Sequence, residues 1–431
     1  MGSAVLAVAA LLAATLSAGV WIGVALLAVG ILSLELFRNM PVAKFLAQDF
    51  WTSMTSPELI ALPLFVLMGE ILFHTNLSDH LFRGMAPWTN RLPGGLMHVN
   101  VMACTLFAAA SGSSVATTAT VGRITLKELA ARGYDRDLAM GSLAGAGTLG
   151  ILIPPSIPMI VYGVLTGVSI LQLFIAGIIP GLLLAGSYMI YVGGRAIVQR
   201  EAITDVDRTY GWGDRMTGLV YLMPTVLLIA FVIGSMYAGF AGPSEAAAVG
   251  VLGAVLIAAV ERSLTFANLR KAALATVRTS SMIGLILAGA LFLSKAMTFL
   301  GLPAMAATSI AGLGLGPYDL IAVLLVFYVI LGMFLDGLSI IALTLPVTFP
   351  VVTGAGFDPV WFGVFLVIVI EMSAVTPPVG FNLFVLQSMT GETVARIARA
   401  TFPFFLLMVL LVGFLTVFPG VVTFLPRLAY S

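Results

Sequence analysis

The stretch TLGILIPPSIPMIVYG, residues 148–163, decides the reading of this chain. It is apolar enough to lie in a membrane, yet it holds Pro154, Pro155 and Pro158. A proline in a helix interior removes a backbone donor and clashes with the preceding turn, at a cost of about 3 kcal/mol. The segment therefore predicts a membrane helix interrupted midway.

The surrounding sequence is membrane-like throughout. Of 431 residues, 60% are hydrophobic and 9% charged, and the mean hydropathy is +1.11. A soluble protein carries about 25% charged residues. A membrane span needs about 20 apolar residues. Candidate runs are 3–37 (one tilted span or two short pieces), 59–73, 96–110, 138–153, 156–167, 170–193, 216–239, 244–260, 280–300, 318–335, 339–353, 360–375, 379–390 and 401–425. Strands of about ten residues with alternating polarity are absent, which argues against a barrel. The expectation is an all-α polytopic membrane protein, because lipid-exposed backbone must satisfy its own hydrogen bonds.

Charge and cysteine usage exclude several classes. A net charge of +1 points to no nucleic acid or other acidic partner. A single cysteine, Cys104, rules out an internal disulfide and a multi-cysteine metal site. His74, His80 and His98 are scattered, so no transition-metal site is expected. No Walker A sequence is present. The opening MGSAVLAVAALLAATLSA lacks a basic flank and runs into more apolar sequence, so it reads as a membrane anchor rather than a cleaved signal.

Basic residues give an orientation. They cluster at Arg123, Lys127, Arg132 and Arg136; at Arg195, Arg200, Arg208 and Arg215; at Arg262, Arg270, Lys271 and Arg278; and at Arg396 and Arg399. The positive-inside rule puts all four clusters in the cytoplasm. Counting crossings between them makes 138–153 and 156–167 two halves of one span, and 360–375 and 379–390 two halves of another. The last run, 401–425, then leaves the C-terminus outside. Lys295 reads as a snorkelling or interface residue, and Glu245 as a helix N-terminal charge.

The two broken spans match each other. LIPPSIPMIVYGVLTG (152–167) resembles VTPPVGFNLFVLQSMTG (375–391), with Pro154-Pro155 opposite Pro377-Pro378 at an offset of 223 residues. Upstream, AAASGSSVATTATVG (108–122) falls opposite MFLDGLSIIALTLPV (333–347), and Ser111-Gly112 matches Asp336-Gly337 at an offset of 225. Each polar break sits between two half-length apolar runs, which predicts a re-entrant helical hairpin. By charge topology the first hairpin enters from the cytoplasm and the second from outside. Opposite sidedness is what inverted-topology repeats produce.

Unwound backbone survives in a membrane only where protein buries it or a cavity is lined by it. Such breaks free carbonyl oxygens that coordinate Na⁺ or H⁺, and helix N-termini that favour anions. Nearby oxygen donors are Ser111, Ser113, Ser114, Thr117 and Thr148 in the first half, and Asp336, Ser339 and Thr376 in the second. An intramembrane carboxylate is a functional candidate by default, and Asp336 stands on the repeat. Glu70 and Glu371 also lie in apolar runs, without repeat support. GSLAG (141–145) and GIIPG (177–181) fit the small-xxx-small pattern only weakly in a chain with 45 glycines.

At these residues the sequence resembles a known family. AASGSSVATTATVG, RGYDRDLAMGSLAGAGTLGILIPPSIPMIVYG, LDGLSIIALTLPVTFPVV and TPPVGFNLFVLQ, in that order, look like the large membrane subunit of the tripartite ATP-independent periplasmic (TRAP) transporters. The resemblance covers about residues 55 to 425. It implies a secondary transporter of the bacterial or archaeal inner membrane that imports an organic anion, often a carboxylate, by sodium symport. It implies two partners, a periplasmic substrate-binding protein and a small four-helix membrane subunit; the chain has no room for a fused copy of the latter. It also implies an elevator, with transport-domain repeats at 81–169 and 279–400 moving against scaffold segments 1–80, 170–278 and 401–431.

Carried over by motif, one Na⁺ site involves Ser111 and Ser113 with backbone oxygens of Gly150, Ile153 and Pro155. The other involves Asp336 and Thr376 with backbone near Gly332 and Gly380. Substrate is expected between the hairpin tips, near Ser114, Thr117, Pro154, Ser339 and Asn382. No cofactor other than the coupling Na⁺ is implied. The rival readings are a stand-alone carrier that needs no binding protein, an intramembrane enzyme and a passive channel. Enzyme chemistry would need convergent His, Asp, Ser or Cys groups, and neither repeat puts a histidine near a carboxylate. Two occluding hairpins argue against an open pore.

Overall fold

The structure is a computed structural model describing residues 2–198, 210–312, 314 and 316–429; Arg200 and Arg208 of the second basic cluster lie outside these. Every regular element among the described residues is a helix. In chain order these begin with α1 (Gly2–Ser17), α2 (Ile22–Phe37), α3 (Val42–Met54), α4 (Glu58–Phe73) and α5 (Leu77–Thr89). A tight pair follows, α6 (Met97–Ser111) and α7 (Ser114–Ala131). The proline-rich segment then yields α8 (Arg136–Gly147), α9 (Leu149–Leu152) and α10 (Ile157–Thr166). The long helices α11 (Ile170–Val198), α12 (Trp212–Tyr237), α13 (Pro243–Val260) and α14 (Phe266–Phe299) come next, then the short α15 (Leu302–Gly312). A second tight pair, α16 (Pro317–Gly332) and α17 (Gly337–Gly354), precedes α18 (Pro359–Ala374) and α19 (Phe381–Thr390). The chain closes with α20 (Val394–Val417) and α21 (Gly420–Ala429).

Seven stretches are long and apolar enough to cross a membrane, or eight if the α3–α4 pair, bent by 55°, is one span. The helix breaks fall at the Pro-Pro dipeptides, and both Pro154–Pro155 and Pro377–Pro378 peptide bonds are cis.

Several boundaries differ from the expectation. The run 3–37 is two 16-residue helices separated at Gly19. The run 401–425 is not one helix: α20 ends at Val417, before Pro419, and α21 begins anew at Gly420. Proline lacks the amide that would continue the ladder, which explains the stop. Arg270, Lys271 and Arg278 are not in a loop but on the first turns of α14. At 1.5 Å per residue that helix is about 51 Å long, well beyond a hydrocarbon core of about 30 Å. The ammonium of Lys295 is paired with the carboxylate of Asp49 on α3, which is almost fully buried. Helix α3 carries Lys44, Gln48 and Asp49, and its mixed polarity hides it from a search for apolar runs.

Burial sorts the helices. In the apolar window of residues 136–166, 83% of positions are buried, against 22% in α12. The broken span is thus enclosed by other helices, where unwound backbone is tolerated. Small residues set the approach distances. A Cβ at Gly141 would stand 2.2 Å from the Ala400 carbonyl oxygen, and one at Gly145 2.6 Å from Cβ of Phe404, so GSLAG is the face on which α8 meets α20. GIIPG does the same for α11: a Cβ at Gly177 would stand 2.6 Å from the Leu152 carbonyl oxygen. Between helices in lipid, such close packing replaces the hydrophobic drive that water supplies elsewhere.

Polar side chains pin the centre. Tyr162 on α10 donates to the Pro359 carbonyl at 2.6 Å, tying the first broken span to the start of α18. Trp361 is buried, stacks between Phe357 and Phe365, and donates its indole N–H to the Leu415 carbonyl at 2.9 Å. A buried indole needs such a partner.

Candidate functional site

The first tip is built from Ser111, Gly112 and Ser113, where α6 gives way to α7. Ser111 ends α6, and Gly112 turns the chain with φ +60°, a conformation that favours glycine. Ser113 is extended, and its hydroxyl accepts from the Ala116 N–H at 3.3 Å as the N-cap of α7. The Ser111 and Thr117 hydroxyls are 2.9 Å apart, and Thr117 also donates to the Ser113 carbonyl at 2.7 Å.

The first broken span comes up against this tip. Residue Ile153 is extended, and Ser156 restarts the helix by accepting from the Met159 N–H at 3.4 Å. A Cβ at Gly112 would stand 2.9 Å from the Pro155 carbonyl oxygen. A Cβ at Gly150 would stand 2.6 Å from the Ser113 carbonyl oxygen. Ser111, Ser113, Gly150 and Pro155 therefore converge from two elements 37 or more residues apart in sequence. Thr148 turns away from them, donating to the Gly145 carbonyl at 2.5 Å with its hydroxyl 3.3 Å from that of Tyr188.

The second tip has a different chemistry. Asp336 is the N-cap of α17, and its carboxylate accepts from the N–H groups of Leu338 at 3.1 Å and Ser339 at 3.2 Å, and from the Ser339 hydroxyl. Negative charge is favourable at that helix end. The tip packs on α18: a Cβ at Gly332 would fall 2.0 Å from Cβ of Ser373, and one at Gly337 2.2 Å from Cγ2 of Ile370. The second break closes on itself. Thr376 donates to the Met372 carbonyl at 2.6 Å, and Gly380 adopts φ +42° beside the Thr376 carbonyl. Gly332 thus packs against Ser373, three residues before Thr376, while the Asp336 carboxylate serves its own helix.

The residues expected to line a substrate position separate into groups. Ser114 and Asn382 meet: the Asn382 amide Nδ2 donates to the Ser114 hydroxyl at 2.7 Å. Ser339 belongs with Asp336, and Thr117 with Ser111 and Ser113. Pro154 sits in the buried break between α9 and α10.

Sequence reasoning set Glu371 aside for want of a counterpart in the other half. In the fold Glu371 is 2% exposed, and its Oε2 accepts from the Ser114 hydroxyl at 3.0 Å. The available signal was an acidic residue six positions before Pro377 in an otherwise apolar helix. Thr118 was missed as well. It is buried, its hydroxyl is unpartnered, and it lies where a Cβ at Gly147 would also approach Asn382 Nδ2. Nothing in its sequence context distinguishes it from the other threonines of that helix.

The arrangement is suited to holding small ions. Oxygens of hydroxyls and carbonyls gather at the buried first break, a carboxylate stands at the half-buried second tip, and hard oxygens suit hard cations.

Comparison with known proteins agrees in fold and in family. The family described as "Tripartite ATP-independent periplasmic transporter, DctM component" matches residues 9–421. The chain is 32% identical over 401 residues to the C4-dicarboxylate TRAP transporter large permease protein DctM of Pseudomonas aeruginosa, covering 90% of each. It is 31% identical over 380 residues to the 2,3-diketo-L-gulonate TRAP transporter large permease protein YiaN of Escherichia coli, covering 87% of this chain and 88% of that one. Among solved structures, the Alcanivorax borkumensis YdaH transporter shares the fold with a TM-score of 0.63 at 14% identity, over 93% of this chain and 97% of that one.

Proposed function

The chain belongs to the DctM-component family of tripartite ATP-independent periplasmic transporters and is a multi-pass inner-membrane protein, and from that premise we propose that it imports an organic anion, a carboxylate, by sodium symport. The observation that supports this most is the convergence of Ser111, Ser113, Gly150 and Pro155, where hairpin-tip oxygens meet the interrupted backbone of another span.

In this reading one Na⁺ is held by Ser111 and Ser113 with the carbonyls of Gly150, Ile153 and Pro155. A second is held by Asp336 and Thr376 with backbone at Gly332 and Gly380. Binding the second ion draws the Asp336 carboxylate partly away from its capping role, so ion binding and the position of the α17 N-terminus are linked. One carboxylate cannot neutralise two cations, and the anionic substrate completes the balance. Substrate docks between the tips, against Ser114, Thr117, Pro154, Ser339 and Asn382, where the N-termini of α7, α17 and α19 favour negative charge.

Segments 81–169 and 279–400 form inverted repeats of a transport domain. They move as an elevator against 1–80, 170–278 and 401–431. A periplasmic binding protein delivers the substrate, and a separate small four-helix membrane subunit completes the membrane unit.

Uptake of a panel of organic acids into proteoliposomes tests this, with the small subunit present, the cognate binding protein outside, and an inward Na⁺ gradient imposed or omitted. Uptake that needs both Na⁺ and the binding protein is expected. Uptake without the binding protein would favour a stand-alone carrier, and uptake indifferent to Na⁺ would sink the symport reading.

A further inference from the structure

The hydrogen bonds around Glu371 leave an imbalance. Ser114 Oγ donates to Glu371 Oε2 at 3.0 Å and accepts from Asn382 Nδ2 at 2.7 Å. That chain joins the N-terminus of α19 to a carboxyl on α18 through the Ser114 hydroxyl at the N-terminus of α7. Two acceptors on it have no donor: Glu371 Oε1 and Asn382 Oδ1 are both buried and unpartnered. Among the described residues no lysine, arginine or histidine pairs with Glu371. An ionised carboxylate in such a place is very costly, and buried acids neutralise instead.

The surroundings offer no other source of positive charge. Tyr188 on α11 brings no charge, and its hydroxyl is already beside that of Thr148. Tyr162 on α10 is spent on the Pro359 carbonyl, and Tyr328 on α16 lies within hydrogen-bond distance of Thr344 and Thr348. On α17, Asp336 brings a carboxylate, turned to its own helix N–H groups. Arg396 on α20 is bound to Asp137 and Glu392; Arg399 begins the same helix and Arg427 ends α21. Hard metal cations take about six oxygens, whereas a single proton on Oε1 neutralises the carboxyl.

We propose that Glu371 is a proton-binding site at the junction of the two hairpin-bearing halves, carrying its proton on the unpartnered Oε1. The proton comes from bulk water and converts the carboxylate to the neutral acid. Its presence keeps the Glu371–Ser114–Asn382 chain free of net charge. The consequence for transport rests on the substrate reading above: an anion docked on Ser114 and Asn382 would meet an uncompensated negative charge directly behind them once the proton left. Glu371 is in that sense a positioning residue that admits an anion only when protonated.

Infrared difference spectroscopy on the purified full chain reads the proton without any substrate. The C=O stretch of a protonated carboxylic acid is expected at neutral pH in wild type, absent from Glu371→Gln, and lost from wild type at high pH. Wild-type and Glu371→Gln spectra that coincide in this region at every pH would overturn the proposal. Should Glu371→Gln fail to fold, Glu371→Asp keeps a carboxyl, and the band must then respond to isotopic labelling of aspartate rather than glutamate; no response overturns it. In proteoliposomes at fixed Na⁺ gradient, wild-type uptake should fall about tenfold per pH unit beyond the midpoint of band loss, as the protonated fraction does, while Glu371→Gln shows no such fall. Equal pH profiles would overturn the role in transport. Absence of uptake altogether would count against the transport reading and leave the infrared result to decide the proton site.

Discussion

Gly150 and Ser113 are in backbone contact: a Cβ on Gly150 would stand 2.6 Å from the Ser113 carbonyl oxygen. Residue 150 belongs to the broken span and residue 113 to the hairpin tip, so a single missing methyl group sets how near the two oxygen-bearing elements come. Any side chain at position 150 is costly, since the obstacle is backbone and not the end of a flexible side chain.

Gly150→Ala should therefore push the hairpin tip from the break. Overpacking of this kind costs about 1–3 kcal/mol, which leaves the protein inserted and folded but displaces the Ser111–Pro155 oxygens. The expected outcome is a raised Na⁺ concentration for half-maximal uptake with normal membrane expression. An unchanged Na⁺ response would place the first ion elsewhere.

Asp336→Asn separates the two jobs of that side chain. Asparagine caps a helix about as well as aspartate, so thermal stability in detergent should hold. The charge needed for a cation is gone, and the Na⁺ dependence of uptake should weaken strongly. Loss of stability together with retained Na⁺ dependence would make Asp336 a structural cap and nothing more.

Pro154→Ala combined with Pro155→Ala restores the donors that the interrupted helix lacks. Residues that can rejoin the hydrogen-bond ladder remove free carbonyls from the break. Transport should drop while insertion persists, as followed by uptake and by membrane-fraction yield. Wild-type uptake in this double variant would reduce the break to a simple kink.

The Asp49–Lys295 pair links α3 to α14. Lys295→Met strands a buried carboxylate. Breaking a buried pair costs about 3–5 kcal/mol, and because the Lys295 side chain is 46% exposed the cost here should be smaller. A lowered melting temperature is expected, with recovery in the Asp49→Asn, Lys295→Met double variant. A double variant no better than the single one would mean the pair contributes through packing alone.

Much of this architecture was legible in one dimension. An interior with no water forces backbone to satisfy itself, so composition alone pointed to helices. Proline cannot continue a helix, so Pro154-Pro155 and Pro377-Pro378 marked both breaks before any coordinates. Ser111-Gly112 and Asp336-Gly337 marked the turns of the two tight pairs, because glycine and short polar caps are what a helix end requires. Less visible were α3 and α5, whose polarity is mixed, and the stop before Pro419, hidden inside a uniformly apolar run.

Tertiary structure decided what sequence spacing could not. Glu371 had no partner in its own half, and only folding brought it to Ser114, 257 residues away, and brought Ser114 to Asn382. Lys295 likewise found its partner, Asp49, 246 residues away in sequence. Local rules govern where a helix starts, breaks and ends because those depend on neighbours a few residues apart. Which buried oxygen or charge finds a partner depends on packing between distant helices, and no local pattern encodes that distance.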